Sequence, residues 1–511
     1  MLRPSKPKVV SETDLTVFDA LVLRDHYLRR ADERIDFPAL RETVVPFYSP
    51  DRGRPAEEPV LLIKLEFLQY HDQLSDRQVI TRARTDVAYR WFLGLGLEDD
   101  LPDPSELTKF RGRIGAAGHK QLFQRIVGQA REHGLVRDRL RLKDATHIIA
   151  DIDVPSTLAL VAHTRNRLIA GASHFDAERA EGEQARAEAI RQSTDTAGEK
   201  ARLSARLTHL TEILEWTAEL PVPDDAEDNP RWRQLQSARD VAAKVLGEAG
   251  QEKVSGRTLS GVDPDARRGR HGDFFDGYLL DVVMDGDSEI ITAINVFPAG
   301  GDEALDTLEL MDQEQSFHQN VIDTVSIDGI GFNGPLLREL ESVRKIDTIV
   351  PPPADRATGR FTPDDFEEDA ERDVLTCPAG HESKYRQRDN KKHTSVYRFD
   401  ATTCAACPLM QQCLAKAPEK KFGRTVRKND YKAEYDAARA KTTTEQYAAV
   451  RREHPKIERK LSELVRRHGM RRARYRGGSR VLIQGLLAGA ATNVKRIVNL
   501  LDRDNPLAVF I

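Results

Sequence analysis

The chain has 511 residues, 39% of them hydrophobic, and a formal net charge of −4. That length is too great for one compact core, so two or more domains are expected, and the near-neutral balance gives no argument for nucleic acid by itself. No apolar run is long enough to span a bilayer, the first residues lack the apolar core of a signal peptide, and four cysteines do not make a disulfide scaffold, so a cytoplasmic protein is expected.

Residues 1 to about 140 read as helical. Val17-Phe18 with Leu21-Val22 is one amphipathic stretch. Pro59 to His71 is another, with Leu61, Leu62, Leu65 and Leu68 at helical spacing. Ser75 stands where it could cap a third helix, with Gln78 at the capping-box position. Asp103-Pro104 begins a fourth that runs through Ile114. Short helices with arginine near their ends suit a helix-turn-helix type DNA-binding domain. They equally suit a bundle used for oligomerisation.

The character changes at residue 140. Ile148 to Val154, after Asp144, reads as a strand. Residues 171 to about 255 are rich in Ala, Glu, Arg and Gln. Leu203, Leu207, Leu210 and Leu214 form the seam of a helical hairpin or short coiled coil, and Pro221-Val222-Pro223 breaks it. Strand signals resume afterwards, so this segment reads as an insertion into a sheet domain. Gly277 to Met284 and Glu289 to Val296 are strands joined by the turn signal Asp285-Gly286-Asp287. A helix from Ala304 to Met311, a strand from Val321 to Ile327, a helix from Leu336 to Arg344 and a strand at Thr348-Ile349-Val350 follow. Antiparallel strands and then strand–helix–strand predict a mixed α/β sheet. Pro351 opens an irregular acidic segment to about residue 375. A cysteine-bearing region, a basic helix from about 442 to 470, and an apolar helix from Val481 to Leu501 that docks on the core complete the chain.

Charge is unevenly spread. Arg451 to Arg480 holds 12 Lys and Arg against 3 Glu, whereas Asp364 to Asp373 holds seven acids and one Arg. Such polarisation is expected if one face meets an acidic polymer. Arginine grips phosphate through a bidentate fork, so Arg459, Arg466, Arg467, Arg471, Arg472, Arg474 and Arg476 are candidate DNA contacts. They would position the backbone rather than read bases. The plain alternative is a solvated face paired with the acidic segment.

Three carboxylates sit in ordered contexts: Asp144 and Asp328 at strand-like runs and Glu458 on the basic helix. Gathered together they would form a hard-oxygen site for Mg²⁺ or Mn²⁺, suited to chemistry on phosphodiesters. Residue pattern alone leaves Asp151, Asp153 and Asp323 as competitors. The cysteines, Cys377, Cys404, Cys407 and Cys413, fall in one short region that includes a C-x₂-C pair. In a reducing compartment that spacing predicts structural Zn²⁺. His381 could replace one sulfur or simply sit in the loop.

A resemblance sharpens this reading. Gly53 to Pro59, Leu74 to Gln78, Tyr89 to Gly94 and Lys109-Phe110-Arg111 are similar to the helical N-terminal domain of bacterial insertion-sequence transposases of the DDE type. Lys143 to Thr146, Asp263 to Arg267, Gly277-Tyr278, Ser326 to Gly329, Ile457-Glu458-Arg459 and Arg466 to Gly477 resemble the same family, in matching order. The resemblance implies an RNase-H-like catalytic domain, two divalent ions, and Asp144, Asp328 and Glu458 as the triad. It implies cleavage of transposon ends and attack of the freed 3′-hydroxyl on target DNA, with at least a dimer on the two ends. A DNA-binding relic that no longer cuts, and a nuclease that does not join, are the alternatives. The expected plan is therefore multidomain α/β. It has a helical N-terminal DNA-binding or dimerisation domain (1–138) and an RNase-H-like mixed sheet (139–170 and 257–355) split by a helical insertion (171–256). An acidic linker with a small zinc-binding insertion (356–440) and a C-terminal unit (441–511) follow. The partners would be terminal inverted repeats and target DNA, in a bacterial, nucleoid-associated setting.

Overall fold

The computed structural model describes residues 2, 10–51, 55–226, 229–249, 251, 256–354, 360–369, 371–418 and 421–504. The N-terminal region is helical: α1 (Glu12–Leu21), α2 (Tyr27–Arg34), α3 (Leu40–Val44), α4 (Pro59–His71), α5 (Asp76–Thr85), α6 (Val87–Leu93) and α7 (Pro104–Glu132). Local chemistry sets the ends. Ser75 and Gln78 form a reciprocal capping box at α5. Asp103 caps α7, with Pro104 in the first turn where its missing N–H costs nothing. Gly115, with φ +56°, interrupts α7. Helix α4 is buried on nearly every side, from Leu61 to Tyr70, so it runs through the interior.

The sheet begins with β1 (Leu140–Ile149). Sequence pattern places the strand later, from Ile148 to Val154, with Asp144 before it. Asp144 lies in mid-strand instead. Leu140, Leu142 and Ile148 fill one face of β1, while Arg141 and Lys143, both 0% exposed, fill the other. Buried charges at alternate positions hide the strand from hydropathy.

Four helices follow: α8 (Thr157–Ala172), α9 (Ala177–Ser193), α10 (Glu199–Glu219) and α11 (Pro230–Ala249). They share a core of Leu160, Val161, Leu168, Leu210, Ile213, Trp216, Trp232 and Leu235. The helical unit therefore starts at residue 157 rather than 171, because α8 packs on α10 and α11, and it is larger than a hairpin. Of the leucine seam, Leu210 is fully buried; Leu203, Leu207 and Leu214 are partly so.

Strands β2 (Arg267–His271), β3 (Asp273–Asp285), β4 (Ile291–Pro298), β5 (Thr324–Ser326) and β6 (Asp347–Ile349) complete the mixed sheet. β3 pairs antiparallel with β1 on one edge and with β2 and then β4 on the other. β5 is parallel to β1, and β6 to β5. Helix α12 (Glu303–His318) lies on one side and leads into β5, which is joined to β6 through α13 (Gly334–Leu337) and a π-helical turn (Arg338–Val343).

Short strands β7 (Glu367–Asp369) and β8 (Val374–Thr376) pair with each other. β9 (Tyr385–Asp389), β10 (Thr394–Asp400) and β11 (Phe422–Asn429) form a separate antiparallel sheet, between whose last two strands lie α14 (Ala401–Ala405) and α15 (Met410–Cys413). The basic helix expected over 442–470 is two helices after α16 (Lys432–Lys441): α17 (Glu445–Glu453) and α18 (Pro455–Arg467). Pro455, which has no N–H to donate, opens α18. The chain closes with α19 (Gly478–Asp504). Helix α19 packs on α7, α4, α2 and β4. One apolar core consequently runs from Leu40 and Phe67 through Leu142, Ile148 and Leu280 to Ile457, Leu464 and Val494. The N-terminal helices and one face of the sheet fold around a shared interior, on both sides of the boundary expected near 138.

Candidate active site

Asp144 and Asp328 are placed by strand register. β1 and β5 are parallel, with Leu140 beside Thr324 and Leu142 beside Ser326. Two residues beyond each last partner come Asp144 and Asp328. Extending that register by two residues sets Asp144 level with Asp328 just past the end of β5, and alternation turns Leu142, Asp144 and Ser326 to one face. Asp144 is half-buried, and one carboxylate oxygen accepts the N–H of Ala145 at 2.8 Å. Burial, with the negative charges of Asp328 and Glu303, pushes its carboxyl up to about 6, against the lowering effect of that N–H and of Lys143. Asp328 caps a 3₁₀ turn, accepting the N–H of Ile330 at 3.1 Å.

Glu458 lies on α18, which packs along β1 on this same face. Ile457, Leu461 and Leu464 bind the helix to the core at i, i+4 and i+7. Glu458 lies beside that stripe and is exposed. The helix is fixed at its start by His454, whose Nδ1 is 3.0 Å from the Ser326 hydroxyl. Arg451 donates to the Ile327 carbonyl at 3.1 Å. Ser326 is two residues from Asp328 and His454 is one turn from Glu458, so the α17–α18 corner is tied to the strand that carries the second aspartate. Among the described residues, no group of three or more His, Cys, Asp or Glu is gathered closely enough to hold a metal ion. The charge of Asp328 reaches Asp144, and Glu458 does not form a close group with the two.

Behind Asp144, on the opposite face of β1, sits a buried ion cluster that sequence pattern does not reveal. Lys143 Nζ is 3.1 Å from Asp281 and 3.0 Å from Glu303. Arg141 contacts Glu314 at 2.6 Å, Asp285 at 2.9 Å and Asp138 at 2.8 Å. Lys143 adjoins Asp144 in sequence, but nothing in one chain's pattern could name its distant partners.

The arginine run divides. Arg459, Arg466, Arg467 and Arg472 are exposed and have no ion pair among the described residues. Three others are committed to the fold. Arg471 donates to the His147 carbonyl at 2.9 Å, and Arg474 donates to the Leu74 carbonyl and lies 4.9 Å over the Tyr70 ring. Arg476 binds Asp151 at 3.2 Å. The acidic segment does not neutralise this run: Asp364 pairs with Lys432 and Asp373 with Arg386.

The widely spaced motifs meet. Asp263 is fully buried and accepts the Tyr278 hydroxyl at 2.5 Å. Asp265 accepts the Gly478 N–H at 3.0 Å, at the start of α19. Gly277 admits no side chain, because a Cβ there would come within 2.0 Å of the Ile148 carbonyl oxygen. Arg111 is buried against Glu66 and Asp76 and lies 5.4 Å from the Tyr475 ring. Cys377, His381, Cys404, Cys407 and Cys413 line one small cavity with Phe366 and Phe399. Burial, and then the neighbouring thiols, push Cys404 and Cys413 up.

Residues 16–113 match a family model described as a transposase domain (DUF772), and residues 376–498 match one described as a transposase DDE domain. The chain belongs to the DDE transposases of insertion sequences. The DDE-domain match covers the cysteine region, α17, α18 with Glu458, and most of α19. The transposase is also 31% identical over 140 residues to the "uncharacterized protein ORF8 in nfe locus" of Rhizobium meliloti, spanning 27% of this chain and 67% of that protein. No solved structure matches. No helix among the described residues is long and apolar enough to cross a membrane.

Proposed function

We propose that this transposase cuts the ends of its element and joins them to target DNA, with Asp144, Asp328 and Glu458 as the ligands of two Mg²⁺ or Mn²⁺ ions. The observation that carries the reading is that Asp144 and Asp328 each lie two residues beyond the last paired position of adjacent parallel strands, close enough for the charge of Asp328 to act on Asp144, with no arginine or lysine ion-paired to either among the described residues. The strand order supports it: an antiparallel run β4–β3–β1 continued by β5 and β6 parallel to β1 is the ribonuclease H arrangement. When bound, the ions would supply Lewis acidity to the attacking and leaving oxygens of the phosphodiester. The chain's own part is positional. Adjacent strands carry two of the carboxylates, His454 and Arg451 pin the corner at which α18 begins, Glu458 would have to close on that pair as the ions bind, and Arg459, Arg466, Arg467 and Arg472 offer phosphate contacts nearby. Exposed Arg77 and Arg84 of α5 line a cleft of about 560 Å³ with the start of α7, a surface suited to reading the inverted repeats. The four thiols have the donor chemistry for a structural Zn²⁺, which would draw them inward from their present spacing. Metal analysis of purified protein, before and after chelation, tests that part.

The experiment for the whole is incubation with Mg²⁺ and labelled transposon-end DNA. Joined strand-transfer products are expected. Free nicks alone would make the protein a nuclease, and shifted but uncut DNA would make it a binding protein.

A further inference from the structure

We propose that the β2–β3 hairpin is a DNA-stacking element, with Phe274 laid against an unpaired or unstacked base and Arg270 beside it on the sugar–phosphate strand. The proposal rests on the transposase reading above and assigns one further contact to that DNA.

The hairpin turns tightly about Gly272, whose φ of +74° favours glycine, and pairs His271 with Asp273 through Arg267 with Gly277. β1 stops pairing at Ile149, opposite Gly277. Beyond Asp276, whose carbonyl still accepts the Ala150 N–H, the hairpin projects without a third strand. At its tip Phe274 is 73% exposed, the highest value for any large apolar side chain among the described residues. A lone exposed apolar residue is ordinary. This one has a setting. Its cross-strand partner is Arg270, whose guanidinium lies 5.7 Å from the ring. Arg268, two residues back on the same face, is exposed and paired with Asp276. An aromatic face among cations is the combination that stacks bases without reading sequence.

The direction of the face is the second argument. Paired antiparallel residues share a face, and side chains alternate along a strand. Val282 pairs with Asp144 and Tyr278 with Ile148. Counting back by twos from Val282 gives Leu280, Tyr278, Asp276 and Phe274. Phe274, Arg270 and Arg268 therefore open on the side of the sheet that presents Asp144. The opposite side of the hairpin is held in place: the Phe275 ring is 4.9 Å from that of His147 on β1. Exposed Arg472 bridges to Ile149, between the two positions. Eight residues at about 3.3 Å each put Phe274 about 26 Å from the level of Asp144. At about 3.4 Å per nucleotide, the base it meets lies within about eight nucleotides of the phosphate that Asp144 faces.

The test uses full-length protein and duplexes carrying each end of the element with its flank, with 2-aminopurine placed at successive positions. Without Mg²⁺, wild type is expected to raise 2-aminopurine emission at one or two adjacent positions within about eight nucleotides of the cut. Phe274→Ala should lose that signal and bind about tenfold more weakly, consistent with one base–aromatic stack. Phe274→Trp should restore binding, and both variants should melt like wild type because the side chain is exposed. If wild type binds and cuts the ends but no position responds, or Phe274→Ala binds equally well, the hairpin proposal falls and the transposase reading stands. If Phe274→Ala changes only sedimentation, the hairpin belongs to a contact between copies, and the proposal is again overturned. Wild type that neither binds nor cuts the ends would bring down both.

Discussion

The two faces of β1 treat charge in opposite ways. On the α12 side, Arg141 and Lys143 are fully buried and each is surrounded by carboxylates. Burial alone would raise the carboxyl of Glu314, but Arg141 and Arg131 hold it down at about 2. On the α18 side, one residue along from Lys143, Asp144 meets Asp328 and has no arginine or lysine ion-paired to it among the described residues, and burial pushes its carboxyl up to about 6. The same strand thus carries charges that are answered within the fold and a charge that is left open. Glu314 has its cations within the fold, whereas Asp144 is a raised carboxyl without one, the kind of group that the proposed metal site would use.

The largest expected effect comes from removing the open charge. Asp144→Asn should reduce end cleavage at least about a thousandfold, about 4 kcal/mol of barrier, while leaving DNA binding in place. Gel assays of cleavage and shift on the same samples check this. Retained cleavage would assign the chemistry to another carboxylate and erase the functional half of the contrast.

Breaking the answered face should instead cost stability. Arg141→Met leaves Glu314 and Asp285 buried without their main cation, a loss of about 3–5 kcal/mol. Denaturant unfolding measures it. Combining Arg141→Met with Glu314→Leu should recover part of the loss, and a cycle showing simple additivity would mean that the pair is not coupled.

Much of this is legible in the sequence, and the gaps have physical causes. Strands β3 and β4 are readable because Leu280, Val282, Ile291 and Ile294 are apolar and their turn, Asp285-Gly286-Asp287, is polar. The capping box at Ser75 is written in local chemistry. The break at Pro455 is equally local, yet the basic run on both sides of it reads as one helix until the fold divides it. Strand β1 is hidden, since its buried Arg141 and Lys143 look like surface residues until Glu314, Asp281 and Glu303 arrive from far along the chain. In the same way, Arg471, Arg474 and Arg476 look like DNA contacts in sequence but spend their donors on His147, Leu74 and Asp151. Asp144 and Asp328 are singled out by resemblance; strand register then brings them level.

A smaller effect sharpens the comparison through pH. Asp144 has a folded-state carboxyl at about 6, above its value of about 3.9 in an unfolded chain. The folded state then holds a proton that the unfolded state has released between those values, so stability should fall as pH rises from about 4 to 6 and level off above. Asp144→Asn should remove that slope, on the order of 1–2 kcal/mol once partial exposure is allowed for. Mg²⁺ should flatten it as well, by favouring the ionised form. Thermal melts across the range, with and without Mg²⁺, report it. An unchanged slope in the variant would mean that Asp144 is not the group under strain.

The smallest expected effect separates the free arginines from the committed ones. Arg466 and Arg467 are exposed and unpaired among the described residues, so Arg466→Ala with Arg467→Ala should weaken binding to all DNA sequences alike. The slope of log affinity against log salt should become shallower by about 2, one for each phosphate that the double variant leaves without its arginine. Arg474→Ala should act differently. Its guanidinium serves the Leu74 carbonyl and the Tyr70 ring, so the variant should lower the melting temperature and leave the salt slope as it was. Titrations at several salt concentrations, beside melts of the same preparations, distinguish the two. If Arg474→Ala shifted the salt slope and spared the melt, the half-buried arginine would be the one that meets phosphate, and the division of this helix and its tail into gripping and bracing residues would have to be reversed.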